Sequence, residues 1–204
     1  IILDRSRSFR ELQNEVIAGY NGLLADQSDP ADGGDVRVGL VLFDLLVDRM
    51  FHDVPISEVV TLSTKTYVPR NQTALLDAIG TGILETEVVV KKAKIKPFNV
   101  VFLIVSDGKE IASTTFPREM VKEMIARHIK ELDWQFMFVA ANDDAEEIAA
   151  RIAIPKESVL AFEGSGPGAL LAFNSASQSI LAYRRLKTEN CIFTEEERAK
   201  QAHA

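Results

Sequence analysis

The chain has 204 residues, of which 47% are apolar, and it carries a formal net charge of −7 with a pI near 5.1. That length and apolar content suit one domain with a real core, and the acidity argues against a nucleic-acid footprint or a polybasic membrane patch. Cys191 is the one cysteine, so an internal disulfide is excluded, and a reducing, cytoplasmic setting with an inert tail thiol is expected. No stretch reaches the ~20 apolar residues of a membrane helix, and no secretory signal is visible.

Ile1 to Asp4 reads as the end of a strand. A central strand usually needs about 5–6 residues, so the chain is expected to begin after a segment that is missing from it. Phe9, Leu12, Val16, Ile17, Tyr20, Leu23 and Leu24 recur at helical spacing. Gln27 to Asp35, with Pro30, Gly33 and Gly34, is a surface loop. Val36 to Phe43 is a strand, Val47 to Phe51 its hairpin partner, and Pro55 to Leu62 a short helix with Ser57 as a possible cap.

Thr73 opens the next helix, which buries Leu75, Leu76, Ile79 and Ile83, and Val88 to Lys96 is a basic, solvated connection. Phe98 to Val105 is a continuous apolar run, the pattern of a parallel strand covered on both faces. Pro117 to Leu132 is a helix with Met120, Met124, Ile125, Ile129 and Leu132 inward. Gln135 to Ala140 is a strand, Asp143 to Ile152 a helix, Ser158 to Phe162 a short strand and Gly168 to Leu186 a closing helix. Thr194 with Glu197 has the spacing of a capping box, so a last short helix starts there. The expected organisation is one domain over residues 1–187 and a tail over 188–204. Strands alternating with helices predict an α/β fold: a doubly wound, mostly parallel central sheet with one antiparallel edge strand and helices on both faces.

In such sheets ligands gather beyond the carboxyl ends of the strands, where the winding reverses. Asp4 and Asp107 each follow a predicted strand directly. Asp4-x-Ser6-x-Ser8 points alternate side chains one way while the chain is extended, Thr73 adds a hydroxyl from a second loop, and Asp107 adds a carboxylate from a third. With waters this makes about six oxygens, a shell for Mg²⁺ or Mn²⁺. One cysteine and the scattered His52, His128 and His203 offer no soft-metal set. Each piece has a plainer reading: Ser6 and Ser8 as caps of the first helix, Thr73 as a cap of its own, Asp107 before Gly108 as a turn residue. Asp44 reads as a hairpin-turn residue, and Asn142 or Asp143 as a helix cap at a sheet end where a ligand could be touched.

The combination resembles the von Willebrand factor A domain with its metal-ion-dependent adhesion site, over Asp4 to about Leu186. It looks closest to a bacterial and phage branch, through Leu-Asp-Arg-Ser-x-Ser, Arg70-x-x-Thr73-Ala74-Leu75-Leu76-Asp77-Ala78-Ile79, Ser106-Asp107-Gly108 and Trp134 with Val139-Ala140-Ala141-Asn142-Asp143-Asp144-Ala145. The resemblance implies that Ser6, Ser8 and Thr73 contact the metal, and that Asp4 and Asp107 bind it directly or through water. It also implies that a partner protein's Asp or Glu completes the shell, and that the last helix can couple to affinity. Two positions depart from the pattern: Arg7 and Asn71 stand where the family favours glycine. An inward Arg7 would repel the cation and an outward one would attract an acidic partner, whereas Asn71 can take left-handed backbone geometry.

The expected function is therefore a non-enzymatic, metal-dependent interaction module that binds neither nucleic acid nor membrane. The alternatives are a structural subunit of a phage or bacterial assembly with a vestigial site, and a Mg²⁺ phosphotransfer enzyme. The last is disfavoured: Ser6 stands where a haloacid-dehalogenase-like phosphatase carries its acid, and no Gly-x-Ser-x-Gly elbow is present.

Overall fold

The computed structural model describes residues 1–29, 35–93, 99–107, 110–142, 144–186 (the side chain of 186 excepted) and 189–201. Six strands form one sheet: β1 (Ile2–Asp4), β2 (Arg37–Phe43), β3 (Val47–Pro55), β4 (Val101–Ser106), β5 (Gln135–Ala140) and β6 (Val159–Ala161). Their order is β3-β2-β1-β4-β5-β6, and only β3 runs antiparallel, at the edge. The helices are α1 (Gln13–Gln27), α2 (Leu75–Lys92), α3 (Arg118–Leu132), α4 (Ala145–Arg151), α5 (Gly166–Leu186) and α6 (Glu195–Gln201). This is the expected fold class.

Alternation along the inner strands divides the core in two. Leu3, Leu103, Val105, Met137 and Val139 face α1 and α5, while Ile2, Phe102, Ile104, Phe136 and Phe138 face α2, α3 and α4. Because both faces are covered, the strands read as unbroken apolar runs rather than as alternating ones. At Gly19, a side chain would collide with Phe173, so α1 and α5 approach closely only because that position is bare. Among the described residues no helix is long and apolar enough to cross a membrane.

Several expectations shift. The first helix is split into a 3₁₀ turn, Arg7–Arg10, and α1. The Pro55 to Leu62 helix is only a 3₁₀ turn, Ile56–Glu58, with Pro55 rather than Ser57 at its cap. The basic connection after Val88 is instead the last turn of α2, which runs to Lys92, where Lys91 reaches Glu87. In α3, Met120 and Leu132 are about half exposed, while Val121, Met124, Ile125 and His128 are buried. Met124 and Ile125 are thus buried as expected and Ile129 packs against the core, while Val121 and His128 join the face in place of Met120 and Leu132. The loop glycines Gly33 and Gly34, Phe98, Gly108, Asp143 and His203 lie outside the described residues.

The capping box is present as expected: Glu197 N–H donates to Thr194 Oγ1 (3.2 Å), and Thr194 N–H donates to Glu197 Oε2 (2.7 Å). Residues 189–201 lie on the sheet end near β6. Cys191 N–H donates to Gln135 Oε1, Ser158 Oγ to the Cys191 carbonyl and Arg198 Nη1 to the Val159 carbonyl. Cys191 is buried, and burial pushes its thiol up to about 12, in keeping with an unreactive side chain.

Candidate metal centre

The winding reverses between β1 and β4, which lie side by side with Leu3 level with Val105. That register places Asp4 beside Ser106. Asp4 is fully buried and fixed at three points. Its Oδ1 accepts from Ser6 N–H (2.6 Å), its Oδ2 accepts from Ser106 Oγ (2.7 Å), and its carbonyl accepts from Tyr67 Oη (2.6 Å). Burial pushes the Asp4 carboxyl up to about 7; the hydrogen bonds from Ser106 and Ser6 oppose this, and the negative charge of Asp107 adds to it. The two aspartates are thus close enough to feel each other.

Ser6 Oγ and Ser8 Oγ lie 2.9 Å apart. Neither serine caps a helix: the 3₁₀ turn starts at Ser6 without a side-chain cap, and α1 is preceded by Leu12. Thr73 is buried and does not open its helix. Helix α2 starts at Leu75, and its first amides are taken elsewhere, Leu76 N–H by Glu110 Oε2 and Asp77 N–H by Ser113 Oγ. The plain capping readings of Ser6, Ser8 and Thr73 therefore have no support in the hydrogen bonding.

The threonine loop is pinned against both neighbouring loops. Arg7 N–H donates to the Asn71 carbonyl (3.2 Å), Arg70 N–H to the Arg5 carbonyl (2.8 Å), and the Thr73 carbonyl accepts from Ile111 and Ala112. Asn71 holds φ at 58°, the left-handed region that the sequence pattern assigns to glycine and that asparagine tolerates. Beneath the loop, Asp44 is fully buried. Its Oδ1 takes Leu46 N–H, its Oδ2 takes Arg70 Nε (2.5 Å) and lies 3.5 Å from Arg5 Nε, and its carbonyl takes Ala74 N–H. Asp44 has the hairpin-turn role expected of it, together with an unforeseen one as anchor of two arginines.

Asp107 is buried at the end of β4, where its carbonyl accepts from Asn142 Nδ2. A cavity of about 140 Å³ opens beside it, lined by Ser8, Phe9, Leu12, Asp107, Ala141 and Asn142. Asn142 therefore lies at the site and does not cap α4, whose cap position is Asp144. Arg7 is exposed and forms no ion pair with the described residues, so its charge is turned outward.

Asp4, Ser6, Ser8, Thr73 and Asp107 thus stand on three adjoining loops at one end of the sheet. Their donors are all oxygens, two carboxylates and three hydroxyls, and they fit a hard divalent cation. Among the described residues no group of three or more His, Cys, Asp or Glu side chains converges. Sequence reasoning gave no role to Ser106 or Tyr67, and it weighed Asn142 as a ligand contact but favoured helix capping for it. Ser106 was open to discovery, since parallel pairing of β1 with β4 puts it level with Asp4; nothing in the sequence singles out Tyr67.

No protein-family model matches the chain, and no curated protein matches it. Solved structures do. Proximal thread matrix protein 1 from the mussel byssus superposes with a TM-score of 0.62 at 14% identity, over 84% of this chain and 44% of that one. The manganese-loaded TRAP protein of Plasmodium vivax gives 0.54 at 16% identity, over 83% and 69%. A von Willebrand factor type A structure from Catenulispora acidiphila gives 0.53 at 11% identity, over 89% and 42%. The chain spans less than half the length of the mussel protein. At these identities the likeness is one of fold, and the fold is von Willebrand factor A-like.

Proposed function

We propose that this chain is a protein-interaction module that uses a Mg²⁺ or Mn²⁺ site to bind a partner's Asp or Glu. The observation that carries the reading is the environment of Asp4: a buried carboxylate next to a second one, surrounded by serine hydroxyls, with no cationic side chain of the described residues paired to it. Such a site is short of positive charge, and a divalent cation would supply it while offering a Lewis-acidic contact to an outside carboxylate. Asp4 and Asp107 hold the anionic side of the shell. Ser6, Ser8 and Thr73 add neutral oxygens, so the bound charge is only partly neutralised and stays attractive to an anion. Outside the shell, Arg7 adds a positive charge at the rim. The manganese-loaded neighbour of the same fold is compatible with this reading.

Calorimetric titration with Mn²⁺ and then Mg²⁺ at millimolar levels is the test. The native chain is expected to bind one ion, and Asp107→Ala to lose it while keeping its circular dichroism. Absence of heat with both ions in the native chain would remove the proposal.

A further inference from the structure

The cavity beside Ser8 and Asp107 has a mixed lining. Phe9, Leu12 and Ala141 supply its apolar part, and Ser8, Asp107 and Asn142 its polar part. Ser8 and Asp107 also belong to the proposed metal shell, so whatever enters the cavity is a direct neighbour of a ligand on the ion. Asn142 has its Nδ2 spent on the Asp107 carbonyl, while its Oδ1 is buried with no hydrogen-bond donor among the described residues. A buried acceptor left alone costs free energy. The volume, about 140 Å³, admits one compact side chain rather than a whole small-molecule cofactor.

From this pairing we infer that the cavity is a specificity subsite for the residue next to the metal-bound carboxylate in a partner peptide. It takes a branched aliphatic side chain against Phe9, Leu12 and Ala141, beside the polar Ser8, Asp107 and Asn142. The ligand class is thus an acidic residue followed or preceded by Val, Ile or Leu, presented in an extended segment. The inference rests on the proposed metal-dependent reading, and the test separates the two.

A library of random heptapeptides displayed on phage is selected on the full chain in Mg²⁺ and eluted with EDTA; calorimetry with Mn²⁺ is run in parallel on the same protein. Eluted clones are expected to carry Asp or Glu adjacent to Val, Ile or Leu. Replacing that aliphatic residue by glycine in a synthetic copy of the commonest peptide should weaken binding roughly ten-fold or more. Ala141→Leu, which fills the cavity, should weaken the same peptide to a similar extent and still bind Mn²⁺. Clones with an acidic residue but no aliphatic neighbour, or a peptide indifferent to both changes, would overturn the subsite and leave the metal site standing. Failure to bind Mn²⁺ would overturn both.

Discussion

Three buried carboxylates near the same end of the sheet, Asp44, Asp77 and Asp4, are treated in two ways. Asp44 and Asp77 are each given donors in full. Asp44 takes a turn amide and lies against two guanidinium groups, and Asp77 accepts from the amides of Thr114, Thr115 and Phe116 at 2.8 to 2.9 Å. Asp4 receives one amide and serine hydroxyls, its immediate neighbour Arg5 reaches away toward Asp44 and Asp48, and the like charge of Asp107 acts on it. Burial is common to all of them. What separates a carboxylate of the frame from one held ready for a ligand is whether the protein itself supplies the compensating charge or amides.

The comparison breaks most visibly at Asp44. Asp44→Ala leaves the buried Arg5 and the half-exposed Arg70, the first residue of the threonine loop, with Asp48 as their shared carboxylate among the described residues. Loss of one member of a buried ion pair costs about 3–5 kcal/mol, and urea unfolding should show it. A cost below about 1 kcal/mol would mean that the arginines find water and that Asp44 is not part of the frame.

Asp77 should come next. Asp77→Ala strands three amides at the loop leading to α3, with Phe116 among them packed against Gly80. A loss of about 2–3 kcal/mol is expected, since some of the freed amides reach solvent. Faster hydrogen exchange confined to residues 114–116 would locate the damage; unchanged exchange there would show that the carboxylate does not hold them.

Much of the frame was legible in the sequence because it is periodic. The apolar runs at Val101–Ser106 and Gln135–Ala140 are two-sided strands, and the spacing of Val16, Tyr20, Leu23 and Leu24 is that of a buried helical stripe. Less legible was whatever depends on pairing between distant segments. Tyr67 belongs to a stretch with no regular structure, yet its hydroxyl fixes Asp4 from 63 residues away. His128 was missed from the buried face of α3, where its ring nitrogens lie against the Met124 carbonyl and Glu87. The positions proposed as metal ligands stood out only because three short motifs lie in the right order. The cavity beside them, and the role of Asn142 in it, required coordinates.

A pH-dependent effect tests the other side of the comparison. In EDTA, the Asp4 carboxyl has a folded-state value of about 7 against an ordinary 3.8. The folded state therefore holds this proton more tightly than the unfolded chain does. The stability linked to it is fully present below pH 4 and is lost as pH rises through 7. Asp4→Asn removes the titration while keeping the shape. The stability of this variant minus that of the native chain should therefore rise between about pH 4 and 7, by at most about 1.4 kcal/mol per pH unit, and then level off. A flat difference for Asp4→Asn in EDTA would mean that the folded protein already compensates this charge, and the distinction between frame carboxylates and a carboxylate awaiting a cation would fail.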